Sequence, residues 1–329
     1  MDGAFLIDKP EGISSFGVIE LFQKYWWETN GTRPKRKHMP KFGHGGTLDP
    51  FATGLLIVLT GRAVKLARYF LGSTKTYTGL IRFGETTIPG DPTSPVSEKS
   101  DTLPQSIDEI QNQAAFFCSK PYLQTPPMHS AKKVNGRPLY ELARQGVEIE
   151  RKQKSLTLHS FEILSYSAPH AKFHLRCSSG TYVRTLTQDL AKSLGTVGML
   201  DSLRRVESGP FKIDNAWTPD LILKTLADLK VWAVQSTSSP DLPDLTAALP
   251  CFVPFDRLLD GFKFSSATQE EAESLRNGRQ NVLFNLLKKQ NPPRIPCIEK
   301  EDCLAIYHQE SLIAVARREE QGWSIERVF

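Results

Sequence analysis

The first 220 residues carry a readable pattern of apolar and polar positions. Ala4 to Ile7 form a short apolar run that predicts a strand, and Lys9-Pro10-Glu11-Gly12 then turns the chain. Ser14 or Ser15 can cap the helix that follows, which carries Val18, Ile19, Phe22 and Tyr25 toward a core. LLIVLTG, residues 55–61, is apolar enough for a buried strand or the start of a helix. Beyond it, Val64, Ala67 and Phe70 share one helix face, with Lys65 and Arg68 on the solvated side. A strand begins at Lys75-Thr76-Tyr77 and continues through Leu80 and Ile81. Residues 106–118 and Leu139 to Gln145 read as helices. Leu156, Leu158 and Phe161 belong to one strand, and Phe173, Leu175 and Cys177 alternate in the next. After Ser178-Ser179-Gly180, a threonine can cap a helix whose Val183, Leu186, Leu190 and Leu194 face the core.

The pattern changes near residue 218. WTPDLILKTLADLK is helical, and QSTSSPDLPDLTAALP is a stretch rich in serine, proline and aspartate that predicts a linker. A polar helix near 267–278 and two strands, Cys303 to Tyr307 and Leu312 to Ala316, follow. These periods predict a mixed chain of helices and strands, with residues 1–230 as a large domain, 231–250 as linker and 251–329 as a small β-rich domain.

Composition narrows the class. The chain has 329 residues, 40% of them apolar, enough for a sizeable core, and a formal net charge of +5. That charge fits a polyanionic partner without requiring one. Arg33, Lys35, Arg36 and Lys37 crowd into the segment 28–41, with Lys41 after them. The segment is either a solvated linker or a phosphate-binding strip. The five cysteines are scattered with no CxxC pair, which argues against a disulfide scaffold or a zinc site and for a reducing compartment. His170 and His174 lie on a strand and nothing like HExxH occurs, so no metal is expected. No apolar run is long enough to span a bilayer and no signal peptide opens the chain, so a soluble, cytoplasmic protein is expected.

The densest candidate chemistry is GHGGTLDPFATG, residues 43–54. Gly43, Gly45, Gly46 and Gly54 admit unusual backbone and close approach, while Pro50 biases Asp49 toward an extended conformation. The loop presents one carboxylate, Asp49, beside one imidazole, His44. Such a loop is either a catalytic element anchored on a core strand or a tight turn in which Asp49 caps a backbone amide.

Taken whole, GHGGTLDPFATGLL resembles the catalytic segment of the TruB family of tRNA pseudouridine synthases. Further stretches in the same order share the likeness: Lys75-Thr76-Tyr77, PPMHSAKKVNGRPLYELAR at 126–144, SSGTYVRTL at 178–186 and SLRRVESGPF at 202–211. The resemblance covers about residues 3–217. It implies an α+β pseudouridine synthase fold, with a mixed, mostly antiparallel central sheet and a small PUA-like C-terminal β-domain. It implies that Asp49 is the catalytic carboxylate, that Tyr77 stacks on the target base, and that Leu203 packs beneath it. Arg184 pairs with Asp49, Tyr182 lies near the reacting nucleotide, and His44 helps hold or displace it. The lysine-proline turn at Lys9 braces the catalytic loop, with an RNA phosphate contact as a second role. The threonine-aspartate loop holding Asp91 lines the groove, and 120–146 includes a thumb that grips RNA. His129 stands where the family has a tyrosine.

The reaction implied is isomerisation of uridine-55 in the T arm of tRNA to pseudouridine, with no cofactor, no guide and no obligate protein partner, by a monomer. Three other readings stand beside it. They are a synthase for another RNA or one directed by a guide, a non-catalytic RNA-folding or RNA-binding protein, and a glycosidase-type hydrolase. The last wants two carboxylates at the scissile bond, and these stretches offer one.

Overall fold

In a computed structural model the apolar runs assemble into one large sheet and one small one. The structure describes every residue except 30–39, 129, 131–132, 135, 230–244, 295–301 and 321. The large sheet is built from β1 (Gly3–Lys9), β2 (Thr53–Thr60), β3 (Lys75–Phe83), β4 (Leu158–Ser167), β5 (His170–Cys177), β6 (Gly198–Ser208) and β7 (Phe252–Pro254). They lie in the order β4-β5-β3-β6-β2-β1-β7, with Phe42–His44 added on β2 and Phe211–Lys212 on β6. Every pairing is antiparallel except β6 with β2, which run parallel where Arg204 and Arg205 face Thr53 and Gly54. The fold is therefore α+β with a mixed, mostly antiparallel sheet, as expected.

LLIVLTG resolves to strand. Leu55 to Leu59 are all buried because β2 lies inside the sheet, and each such side chain contributes about 1.5–3 kcal/mol relative to exposure. Helix α1 (Ser15–Thr29) opens with the Gly17 amide donating to Ser14 Oγ at 2.8 Å and buries Val18, Ile19 and Phe22. Helices α2 (Ile107–Cys118) and α3 (Val183–Ser193) pack near β4 and β6. The Thr181 hydroxyl does not cap α3. It donates to the Ser178 carbonyl, and Tyr182 is the cap residue without a side-chain bond.

Residues 61–71 depart from the predicted α-helix. Gly61–Leu66 is a 3-10 helix that becomes α only at Ala67–Leu71. Three residues per turn put Ala63, Leu66 and Tyr69 in the buried row, with Val64 and Ala67 half-buried beside it. Arg68 and Lys65 are not merely solvated. Arg68 pairs with Glu326, which also accepts from the Tyr69 hydroxyl at 2.6 Å, and the Lys65 ammonium lies 5.9 Å from the Phe329 ring centre.

The small sheet consists of β8 (Lys263–Ser266), β9 (Cys303–His308), β10 (Ser311–Glu319) and β11 (Gly322–Val328), in that order. The polar helix near 267–278 is present as Gln269–Arg276, closed by a Thr268–Glu271 capping box. One face of the small sheet has its own core, including Leu304, Ile306 and Ala314. Cys303, Ala305, Tyr307, Leu312 and Val315 belong instead to the core of the large sheet. That core also takes in Leu249, Cys251, Phe255, Leu258, Leu259 and Phe262, so it extends beyond residue 251. No helix among the described residues is long and apolar enough to cross a membrane. The basic cluster Arg33 to Lys37 lies outside the described residues, as do His129 and Lys132.

Candidate active site

The loop between Phe42–His44 and β2 is held from three directions. Ser15, buried at the start of α1, donates to the Leu48 carbonyl at 3.0 Å and accepts from the Leu48 amide at 2.8 Å. Lys9 is fully buried and its ammonium donates to the carbonyls of Pro10, Ile13 and Pro50 at 2.8, 2.8 and 3.2 Å. Arg205, also buried, donates to Leu55, Gly46 and Thr47 carbonyls at 2.7, 3.0 and 3.4 Å. Buried backbone oxygens need partners, and here cationic side chains supply them. Gly54 adds a fourth constraint. Its φ is +99°, and a Cβ there would meet the Arg205 carbonyl oxygen at 2.3 Å, so only glycine lets β2 approach β6 immediately after the loop.

Asp49 projects from this braced loop toward α3. Its Oδ2 accepts from Arg184 Nε at 2.8 Å, and Arg184 Nη1 donates to the Pro89 carbonyl at 2.8 Å and lies 3.3 Å from Asp91 Oδ2. Arg184 and Asp91 are buried, whereas the Asp49 side chain is 34% exposed. Asp91 is fixed in turn by Thr87, whose hydroxyl donates to the Asp91 carbonyl at 2.6 Å, and by Thr93. One guanidinium thus sits between two carboxylates. Burial raises the Asp49 carboxyl above its ordinary range and Asp91 adds to the rise, while Arg184 and Lys9 oppose it. Burial likewise draws the Lys9 ammonium down to about 8, against the pull of Asp49.

A cavity of about 350 Å³ opens at Asp49. Tyr77, Tyr182, Arg184 and Leu203 all line it, as do Leu71, Lys75, Ser130 and Arg205. Tyr77 and Leu203 come from neighbouring strands, where Tyr77 faces Arg205 in register and Leu203 faces Gly79. The Tyr77 ring is buried, which pushes its phenol up to about 12, so it is neutral at physiological pH. His44 is not among the lining residues. It is half-buried on Phe42–His44, its Nδ1 has no hydrogen-bond partner among the described residues, and burial followed by Arg205 lowers its pKa. Of the six residues singled out in the sequence, five meet at one cavity and His44 stands outside its wall.

The comparisons with known proteins follow from this geometry. Residues 34–183 match the N-terminal domain of the TruB family of pseudouridylate synthases. Over 235 residues the chain is 39% identical to tRNA pseudouridine synthase B of Bordetella parapertussis, covering 70% of this chain and 90% of that protein. It is also 39% identical to tRNA pseudouridine synthase B of Neisseria meningitidis over 231 residues, 70% of this chain and 69% of that one. The chain belongs to the TruB family. Among solved structures, a Cbf5-Nop10-Gar1 complex matches with TM-score 0.69 at 19% identity, over 99% of this chain and 84% of that chain. An H/ACA RNP bound to a substrate RNA containing 2′-deoxyuridine matches with TM-score 0.66 at 18% identity, with the same coverage. At that identity the likeness is one of fold.

Several site features of this TruB family member were not visible in the sequence. Gln124 clamps the Tyr182 backbone, accepting from its amide at 2.8 Å and donating to its carbonyl at 3.0 Å. Lys75 lines the cavity but donates to the Phe70 and Ser73 carbonyls at 2.7 and 2.6 Å. Arg204, beside the buried Arg205, faces away and makes a bidentate pair with Asp8 at 2.9 and 2.7 Å. The partners of Gln124 and Arg204 lie 58 and 196 positions away, so no local period marks these two residues.

Proposed function

We propose that this chain isomerises uridine-55 in the T arm of tRNA to pseudouridine, without a guide RNA, using Asp49 as the catalytic carboxylate. The observation that carries the proposal is the Asp49 carboxylate, held 2.8 Å from Arg184 at the mouth of a cavity floored by Tyr77 and Leu203. The tRNA substrate is taken from the names of the relatives and the reaction from the family. A uridine in a folded loop is stacked, so the reacting base must be extruded, at a cost of a few kcal/mol. Tyr77 offers a ring for stacking and Leu203 an apolar surface beneath, which offset part of that cost. Tyr182 borders the ribose side, and His44 assists entry of the nucleotide from just outside the wall.

Ionised Asp49 acts either as nucleophile at C1′ or as base at C2′. In both cases the N1–C1′ bond breaks with its electron pair retained on the uracil. The uracil turns in the cavity and C5 bonds to C1′, displacing the Asp49 carboxylate from C1′ in the nucleophilic route, or with Asp49 returning its proton to C2′ in the other; C5 then gives up its proton and N1 gains one. The atoms balance without any external reactant. Arg184 orients the carboxylate, and its charge favours the anionic form against the burial that disfavours it. We assign accessory RNA binding to the C-terminal module and to the basic segment around residues 33–41, and treat the working unit as a monomer.

The test uses purified protein alone with an unmodified tRNA transcript tritiated at uridine C5. Tritium release from this transcript, and none from one with cytidine at the T-loop position, is the expected result. Release only on addition of a guide RNA or partner protein would transfer the chain to guide-directed synthesis. Tight RNA binding with no release would favour an RNA-folding role.

A further inference from the structure

Ser130 places a hydroxyl on the cavity wall. Ser130 is only 4% exposed and lines the cavity together with Asp49, Tyr77 and Tyr182, yet its Oγ has no hydrogen-bond partner among the described residues. Its backbone is fixed: the Ser130 amide donates to the Met128 carbonyl at 2.9 Å, and the preceding Pro126 carbonyl accepts from Arg151 at 3.2 Å. Several other polar groups on the wall are engaged within the chain. Arg184 holds Asp49 and the Pro89 carbonyl, Lys75 holds Phe70 and Ser73, Arg205 holds three carbonyls, and Thr181 donates to Ser178.

A buried hydroxyl left unbonded is costly, and folded proteins rarely keep one without a partner. Serine offers one donor and two acceptor positions and rotates to suit what arrives. The cavity is large enough for a nucleoside, and its two apolar surfaces, the Tyr77 ring and Leu203, hold a planar base without fixing its rotation about their common normal. A polar contact from a third element does fix it. We infer that Ser130 Oγ hydrogen-bonds the extruded uridine and is a substrate-positioning residue of this site. The inference rests on the synthase reading above. It adds a polar contact from a further stretch of the chain to the wall that holds Asp49, Tyr77 and Leu203.

Ser130→Ala tests this. In the tritium-release assay its kcat/KM is expected to fall about five- to thirty-fold, the range for one hydrogen bond to a bound group. In an Asp49→Asn background, which removes turnover, affinity for a T-arm hairpin should fall in the same proportion. Its Tm should stay level or rise, because an unbonded buried hydroxyl has been removed. Ser130→Thr, which keeps the hydroxyl, should recover most of the loss. A lowered Tm with unchanged kcat/KM would make Ser130 a structural hydroxyl and overturn the inference. Wild-type protein that releases no tritium would instead overturn the synthase reading itself, and the positioning role with it.

Discussion

The cavity wall built on the central sheet and the segment that adds Ser130 to it are held in different ways. On the sheet side, the Asp49 loop receives Ser15, Lys9 and Arg205, three side chains from three elements that bond its backbone directly. Asp49, Arg184 and Asp91 then interlock. In the segment that adds Ser130, among the described residues, Tyr122–Gln124 pairs with the short strand Lys154–Leu156 and Lys133–Val134 with Arg137–Pro138. Two-stranded pieces of that length are marginal alone. The contrast is one of preorganisation: groups that face developing charge must be in place before reaction, whereas groups that enclose the substrate can complete their bonding when it arrives.

The largest expected effect falls on the rigid wall. Asp49→Asn should abolish tritium release while RNA binding persists, since the amide can neither attack C1′ nor take a proton. Its Tm carries a further signal. The Asp49 pKa is raised on folding, so the stability it contributes is full below its ordinary value of about 4 and is lost as pH rises through the raised value. Asp49→Asn should therefore gain stability relative to wild type as pH rises across that window. A variant that loses stability there would mean that the Arg184 pairing outweighs burial.

Next in size, Arg184→Met leaves the buried Asp91 without its cation. A loss of about 3–5 kcal/mol in chemical denaturation is expected, the cost of breaking a buried pair from one side. A loss below 1 kcal/mol would show that the sheet wall does not depend on this pair. Lys9→Met removes the donor to three carbonyls while keeping the volume of the stem. It should cost about 1–3 kcal/mol and lower kcat more than it raises KM, because the loop carrying Asp49 loosens.

The smallest expected effect is a shift in a pH profile. The acid limb of wild-type kcat/KM reports the free protein and should lie above the ordinary aspartate range, because burial and Asp91 together raise Asp49. A limb at or below that range would mean that Arg184 dominates the electrostatics.

The contrast between wall and segment also explains what could be read from the chain alone. Asp49, Tyr77, Tyr182, Arg184 and Leu203 sit in short, unusual strings, and the structure gathers them at one cavity. The large sheet was legible in part: the alternation Phe173-Leu175-Cys177 has a clear period, whereas the continuous apolar run 55–59 left strand and helix open and Gly198–Ser208 was not read as a strand. The 61–66 turn was misread because a 3-10 helix and an α-helix differ by a fraction of a residue per turn, too little for six residues to reveal. Gln124 was invisible because its meaning lies in Tyr182, 58 positions away. Of the four strands of the small sheet, β8 and β11 went unpredicted; β11 has no fully buried residue and shows no alternation.

The pairing of β1 with β7 bears on how the chain emerges from the ribosome. Gly3, Ala4 and Phe5 face Pro254, Val253 and Phe252, so one edge of β1 has to wait for residues made some 250 positions later. At the usual pace of about 5–20 residues per second, that is an interval on the order of 10–50 s. Throughout it, the edge of β1 stands open to any passing strand, including that of another nascent copy. β1 carries Lys9 at its end, so the strand that braces the Asp49 loop is, within the large sheet, also the one whose edge is sealed last.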